Sequence, residues 1–268
     1  MVLIELTEDF SRRLPRRFSF EDFMVLEGEV FRQVEGRRTL RFEMGGRGYF
    51  IKTHSGVGWR EIFKELSQGR LPILGAWNEY QAIKQLPELG VDTMSLAGYG
   101  KRGWNPARQK SFVITESLDN RESLEDFCAE WPQSPPSVRL KRLLIEKVAE
   151  VARKLHENGL NHRDLYICHF LMEVEQLPGF LAKGSIRLEL IDLHRMQFRA
   201  QTPLRWRVKD VAALHFSSMD IGLSKRDQLR FMRLYSQNSL RQELTENSAF
   251  WRQVQKRADR LYASPNLG

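Results

Sequence analysis

A chain of 268 residues with 41% hydrophobic content and a mean hydropathy of −0.47 suits one catalytic unit with a sizeable core, and no apolar run approaches the roughly 20 residues a membrane helix needs. Two cysteines, Cys128 and Cys168, exclude a disulfide framework and lack the spacing of a zinc site. Forty-two Lys and Arg against 34 Asp and Glu give a net charge of +8, which favours anionic partners, and the absence of helix-turn-helix, zinc-finger and aromatic RNA-binding motifs argues against nucleic acid.

Residues 1–30 read as a lead-in carrying Arg12-Arg13 and Arg16-Arg17. The opening Met-Val-Leu-Ile-Glu-Leu-Thr-Glu-Asp is too acidic and too short in apolar residues for a secretory signal, so a cytoplasmic protein is expected. Strands are predicted near Val30–Val34, Thr39–Glu43 and Gly48–Thr53, with a turn at Met44-Gly45-Gly46. Lys52 ends the third of these. Gly36 sits in the first turn with Arg37 and Arg38 beside it, which either substitute in part for the amides of an absent G-x-G-x-x-G loop or simply stand exposed on a tight turn. Trp59, Ile62, Phe63 and Leu66 recur at helical spacing; that face either packs on a core or docks on another surface. A helix over about Ala76–Leu89 carries the stripe Tyr80, Ile83 and Leu86, with Glu79 beside it. Strands near Thr93–Tyr99 and Ser111–Thr115 lead to Glu116-Ser-Leu118.

In the second half, Ser123–Ala129 opens a helical region and Pro132–Pro136 makes a loop. A long amphipathic helix over about Val138–Asn158 is ended by Gly159. Then comes Asn161-His162-Arg163-Asp164-Leu165-Tyr166-Ile167-Cys168-His169-Phe170. This is H-R-D, four residues, and a position that is Asn in most phosphotransfer loops and His169 here. A short apolar strand, Leu188 to Ile191, ends in Asp192, the position of the metal-chelating acid of D-F-G, with Leu193-His194 in place of Phe-Gly. Asp210 is read as opening an apolar helix, where such folds anchor the catalytic-loop backbone. The stretch from Lys209 on is helical and basic, and Ala263–Gly268 is a loose tail.

The order Lys52, Glu79, H-R-D, Asp192 matches the parts of a kinase. A strand lysine grips the α- and β-phosphates and a helix carboxylate holds it. One Asp deprotonates the acceptor, and another holds Mg²⁺. Glu79 is the expected partner of Lys52, with Glu61 and Glu65 as rivals. Glu116 and Leu118 become the hinge that reads adenine. His169 either binds Mg²⁺ or orients Asp164, because imidazole is softer than the oxygens Mg²⁺ prefers.

The chain resembles the lipopolysaccharide core heptose (I) kinases of Gram-negative bacteria. The resemblance is carried by Gly36–Phe42, Gly48–Lys52, Leu71–Ala76, Asn161–Asp164, Tyr166–Phe170, Ile191–Arg195 and Arg205–Arg207; Leu165 stands where that family has Cys. It implies an α+β, protein-kinase-like fold of two lobes. The smaller N-lobe (residues 1–118) has an antiparallel sheet plus helices, and the larger C-lobe (119–268) is helical. It implies ATP- and Mg²⁺-dependent transfer to a heptose hydroxyl of the inner core, with Asp164 as base, Lys52 on phosphates and Asp192 and His169 at the metal. Its partners would be the core glycolipid, the inner leaflet of the inner membrane as a peripheral surface, and acyl carrier protein. A protein kinase acting on Ser, Thr or Tyr and a non-catalytic binding module are the alternatives. Against the first, no A-P-E follows Asp192; against the second, Lys52, Asp164 and Asp192 are all present.

Overall fold

The computed structural model describes residues 2–34, 36–67 and 74–264. It forms two compact units that do not follow a single cut in the chain. One takes the residues up to Glu88 together with Thr93–Asp119 and Asp192–Arg195; the other takes Leu89–Asp92, Asn120–Ile191 and the chain from Met196 on.

The first unit is built on a six-stranded antiparallel sheet in the order β1-β5-β6-β4-β3-β2. Its strands are β1 (Val2–Leu6), β2 (Glu29–Val34), β3 (Arg37–Met44), β4 (Arg47–His54), β5 (Leu96–Arg102) and β6 (Lys110–Glu116). β4 alternates, so that Tyr49, Ile51 and Thr53 are buried while Lys52 points the other way. Central placement between β3 and β6 fixes Lys52 opposite Thr39 and Val113.

The supposed lead-in is ordered. β1 pairs with β5 as an edge strand, from Val2 opposite Arg102 to Leu6 opposite Gly98. Two short helices follow, α1 (Glu8–Arg13) capped by Thr7 and α2 (Phe20–Met24) closed by a Ser19–Asp22 capping box. They deliver Phe10, Phe20 and Phe23 to the sheet, where Phe10 meets Tyr49 edge-on at 4.8 Å and Phe23 lies 4.8 Å from Phe112. Arg12, Arg13 and Arg16 are salted to Glu8, Asp9 and Asp22 within the same segment. Gly36 adopts φ +75° at the β2–β3 turn, but Arg38 donates to the Leu26 carbonyl at 2.5 Å, so its guanidinium serves the fold.

Helix α3 (Gly58–Ser67) buries Ile62 and leaves Trp59, Phe63 and Leu66 about half exposed or more, with Trp59 stacked on Phe63. Core packing therefore accounts for one of the four apolar positions. Leu71–Ile73 of the following segment lie outside the described residues. Helix α4 (Trp77–Glu88) buries Glu79, Tyr80, Ile83 and Leu86.

The second unit holds α5 (Leu124–Cys128), α6 (Val138–Glu157), α7 (Leu177–Lys183), α8 (Leu204–Ser217), α9 (Lys225–Ser236), α10 (Leu240–Leu244) and α11 (Ser248–Tyr262). Its short strands are β7 (Glu122–Ser123), β8 (Leu160–Asn161), β9 (Phe170–Met172), β10 (Glu189–Leu190) and β11 (Gln197–Phe198), in the ribbons β10-β9-β7 and β11-β8. After α6, Gly159 turns the chain at φ +76°. A Cβ there would lie 1.8 Å from the Arg199 carbonyl oxygen, so no other residue allows β8 to meet β11. An apolar cavity of about 170 Å³ lies among Cys128, Trp131, Ile145, Val148, Leu214 and Phe231. Burial pushes the Cys128 thiol up to about 12, leaving it a small apolar wall residue. No helix among the described residues is long and apolar enough to cross a membrane.

Candidate active site

In the first unit, Lys52 Nζ lies 2.6 Å from Glu79 Oε1. Glu79 is fully buried on α4, and its Oε2 has no hydrogen-bond partner among the described residues. Burial pulls the Lys52 pKa down, but the charges of Glu79 and Asp192 and the Glu79 hydrogen bond outweigh it and hold the ammonium above the ordinary lysine value. The rivals Glu61 and Glu65 sit on α3 with side chains outside the described residues.

Asp192 takes a left-handed backbone at φ +59°, a conformation that costs a non-glycine residue free energy and is concentrated at functional sites. A 3-10 turn at Leu193–Arg195 follows, with Leu193 buried, and His194 Nδ1 lies 2.5 Å from Asp192 Oδ1. The His-for-Gly departure thus places an imidazole on the acid. Nearby, His54 is buried, and burial first, then the charges of Arg37, His194 and Lys52, push its pKa down to about 3. It is a neutral imidazole beside a cation.

In the second unit the H-R-D loop is fastened at nearly every turn. Asp210 Oδ2 accepts from the His162 amide at 2.6 Å, and Oδ1 from the Arg163 amide at 2.9 Å. This corrects the sequence expectation for Asp210. It does not open a helix but lies midway along α8, which starts after Pro203, and its carboxylate is fully buried against the loop. His156 of α6 stands behind it, 3.4 Å from Oδ2 and 2.8 Å from the Tyr235 hydroxyl. His162 Nε2 donates to the Ile191 carbonyl at 3.0 Å, and the Ser217 hydroxyl accepts from the Ile167 amide at 3.0 Å. Arg163 holds φ +76°.

Asp164 stands at the tip of this loop, with Lys209 Nζ 3.7 Å from its Oδ1. His169 Nδ1 is 2.7 Å from the Asp164 carbonyl oxygen. A carbonyl only accepts, so Nδ1 is the donor in this bond. Leu165 is fully buried, which explains why its identity carries no chemistry. At the proposed hinge, the Glu116 amide donates to the Ser95 carbonyl at 3.0 Å and its carboxylate lies 3.6 Å from Arg47; Leu118 is half-buried.

Lys209, His54 and His156 were not singled out from the sequence, and His194 only as a departure from D-F-G. Lys209 reaches Asp164 from a helix 45 residues further on, and nothing but its place before Asp210 could have pointed to it. His54 and His156 carry no local pattern at all.

A family model for lipopolysaccharide kinases, the Kdo/WaaP family, matches residues 21–235. The chain belongs to this family. It is 49% identical over 257 residues to a lipopolysaccharide core heptose(I) kinase WaaP of Pseudomonas aeruginosa, covering 96% of this chain and 95% of that one. An Escherichia coli protein of the same name is 46% identical over 259 residues, 97% of each chain. A solved structure of WaaP in complex with acyl carrier protein is 45% identical and superposes with a TM-score of 0.83 over 97% of this chain and 99% of that one. The antiparallel sheet and helices are accordingly those of a kinase-like fold, and the chain is a phosphotransferase of the Kdo/WaaP family.

Proposed function

We propose that this kinase transfers the γ-phosphoryl group of ATP to a heptose hydroxyl in the inner core of lipopolysaccharide. The observation that carries the proposal is the Asp210-held loop with Asp164 at its tip, in a chain nearly half identical over its whole length to proteins named for that reaction.

Asp164 receives the proton of the sugar hydroxyl as its oxygen attacks the γ-phosphorus and ADP leaves. Lys209 Nζ, 3.7 Å from its Oδ1, steadies the carboxylate in place. Lys52, aimed by Glu79, neutralises the α- and β-phosphates. Adenine is read by residues 116–118. The Glu116 amide is engaged by the Ser95 carbonyl, so other backbone groups of this stretch would meet the base. Residues 1–118 then serve the nucleotide and residues 119–268 the acceptor.

The residues fit Mg²⁺. Asp192 supplies a hard carboxylate within electrostatic reach of the phosphate-binding Lys52, and His169, a softer donor, lies on the same loop as Asp164. When bound, Mg²⁺ neutralises charge on the phosphate oxygens. Asp192 would hold it directly, with His169 as second ligand.

Two partners complete the reading. Exposed Trp59, Phe63 and Leu66 on α3 suit reversible, salt-sensitive docking on the anionic inner leaflet of the inner membrane, where the glycolipid acceptor is found. A solved structure that resembles this one contains acyl carrier protein, and the apolar cavity beside Cys128 has the chemistry to take an acyl chain.

The test is phosphate transfer from labelled ATP to purified core glycolipid, to a peptide mixture, and with no acceptor. Label is expected in the glycolipid alone, dependent on Mg²⁺. Incorporation into peptides, or none into glycolipid, overturns the proposal.

A further inference from the structure

Among the described residues the most exposed large apolar side chain is Trp104, at 89%, in the loop that joins β5 to β6. One exposed ring on a protein surface is ordinary, and only a patch of them needs a reason. Trp104 belongs to such a patch. Its loop is held by its own bonds: Asn105 Oδ1 accepts from the Ala107 amide at 3.0 Å, and the Asn105 carbonyl accepts from the Arg108 amide at 3.0 Å. Gln109 Nε2 donates to the Gly103 carbonyl at 3.4 Å. The carbonyl of buried Ala107 then accepts from the amide of Gly58, the first residue of α3, at 3.0 Å. That bond sets the loop against the helix that exposes Trp59, Phe63 and Leu66, so rings from two segments gather in one region of the first unit.

Charge separates this loop from its surroundings. Lys101-Arg102-Gly103-Trp104-Asn105-Pro106-Ala107-Arg108-Gln109-Lys110 contains cations and no acid. Arg102 is salted to Glu21, whereas Lys101, Arg108 and Lys110 make no ion pair among the described residues, and the last two are exposed. An indole is an apolar ring with one N–H donor, and its favoured place is the boundary between water and acyl chains. Cations beside it complement anionic headgroups, each strengthening partition roughly fivefold. The tip of a hairpin offers far less than the about 800 Å² that each partner brings to a stable protein interface, but it enters a headgroup layer without obstruction. The loop also lies at the end of the sheet away from the hinge. β6 runs from Lys110 to Glu116, roughly 20 Å, so a surface bound at the loop leaves residues 116–118 open.

We propose that the β5–β6 loop is an anchor on an anionic lipid surface. Trp104 enters the headgroup region, Lys101, Arg108 and Lys110 hold lipid phosphates, and the rings of α3 extend the same contact. The inference rests on the docking reading of α3 given above and moves the principal contact to a different segment. Two weak anchors carried by one folded unit act together. Once one is bound the other meets the surface without a second search, so the pair binds more tightly than either alone.

The test is co-sedimentation of the full-length protein with vesicles of mixed phosphatidylglycerol and phosphatidylcholine, and with phosphatidylcholine alone. Binding is expected on the mixed vesicles, is expected to be weak on the neutral ones, and should fade as salt rises. Trp104→Ala should lower the partition coefficient about tenfold with the melting temperature unchanged, because so exposed a ring carries little packing. Replacing Lys101, Arg108 and Lys110 together by Gln should lower it about a hundredfold at low salt and little at high salt. Depth is read separately. Acyl chains brominated near the headgroup should quench part of the tryptophan emission, and Trp104→Phe should still bind and lose that part. On vesicle-borne glycolipid Trp104→Ala should raise KM with kcat nearly unchanged, and on deacylated glycolipid it should match the parent. Arg233→Gln removes an exposed cation of the second unit and should change nothing. Unchanged partition in Trp104→Ala, unchanged quenching in Trp104→Phe, or a loss of about fivefold in Arg233→Gln overturns the anchor. If Trp59→Ser with Phe63→Ser abolishes binding while Trp104→Ala does not, α3 docks alone and this anchor falls. The reverse pattern removes α3 and leaves the anchor standing. A parent protein that ignores anionic vesicles overturns both and gives the patch to a protein partner. If the glycolipid is not phosphorylated at all, the acceptor reading fails while the sedimentation still decides this one.

Discussion

The two clusters that bear the chemistry are held by opposite means. Lys52 is aimed by a single side-chain bond, 2.6 Å to a buried carboxylate 27 residues away. Asp164 is placed by its backbone, in which Asp210 holds the His162 and Arg163 amides and Ser217 the Ile167 amide. A lone ion pair can be retuned by altering one partner, whereas a loop pinned through its amides keeps its shape whatever its own side chains become. The second unit should therefore tolerate loss of the Asp164 side chain without unfolding, and the first should register any change at the pair.

The sharpest test of that contrast sets Asp164→Ala beside Asp210→Asn. Asp164→Ala should cut transfer about 10²–10⁴-fold, the usual range for loss of a general base, with little movement in melting temperature. Asp210→Asn should also impair turnover. It strands a buried amide at about 1–3 kcal/mol and should lower the melting temperature by roughly 2–4 °C for each of those. Near-normal turnover by folded Asp164→Ala would remove it from the base position.

The ion pair predicts an asymmetry. Lys52→Ala leaves Glu79 fully buried without its partner, so destabilisation should approach the lower end of the roughly 3–5 kcal/mol for a broken buried pair, with activity largely lost. Glu79→Ala leaves a lysine whose side chain is 26% exposed and can turn to water, so its stability cost should be smaller. On kcat/KM the two should combine to clearly less than their sum, and additive losses would separate their roles.

A smaller effect is expected at His169. His169→Asn should keep Mg²⁺-dependent turnover, and His169→Ala should raise the Mg²⁺ requirement. An unchanged Mg²⁺ titration in His169→Ala would leave the residue only its bond to the Asp164 carbonyl.

The smallest is a matter of pH. Folded His54 stays neutral down to about pH 3, while the unfolded chain protonates it near 6.5. Its contribution to stability is complete above about pH 6.5 and declines as pH falls toward 3. His54→Gln should flatten that part of a melting-temperature profile, and an identical slope would assign acid sensitivity to other groups.

What could be read from the sequence divides along the same line. Lys52, the H-R-D loop and Asp192 are local strings, since each strand or turn is set by its own residues. The Lys52–Glu79 pairing was reachable because helical spacing put Glu79 beside an apolar stripe. Asp210 was misplaced because Pro203 starts α8 two turns earlier than its apolar run suggests. Lys209 and Asp164 come from separate segments that meet only in the fold. The first strand was missed for a related reason: its five residues alternate weakly and their partner lies far along the chain.

That distance has a consequence for biosynthesis. Val2 pairs with Arg102, so the first strand leaves the ribosome roughly a hundred residues before its partner. Meanwhile Val2, Leu3, Ile4 and Leu6 form a short apolar edge with nothing to close it, the kind of segment that invites chaperones or other nascent chains. At a translation rate of about 5–20 residues per second the wait is several seconds to about twenty. The sheet can assemble β2, β3 and β4 first, through short hairpins, and receive its earliest-made strand last. A tag fused ahead of residue 2 would thus act on the final step of sheet closure.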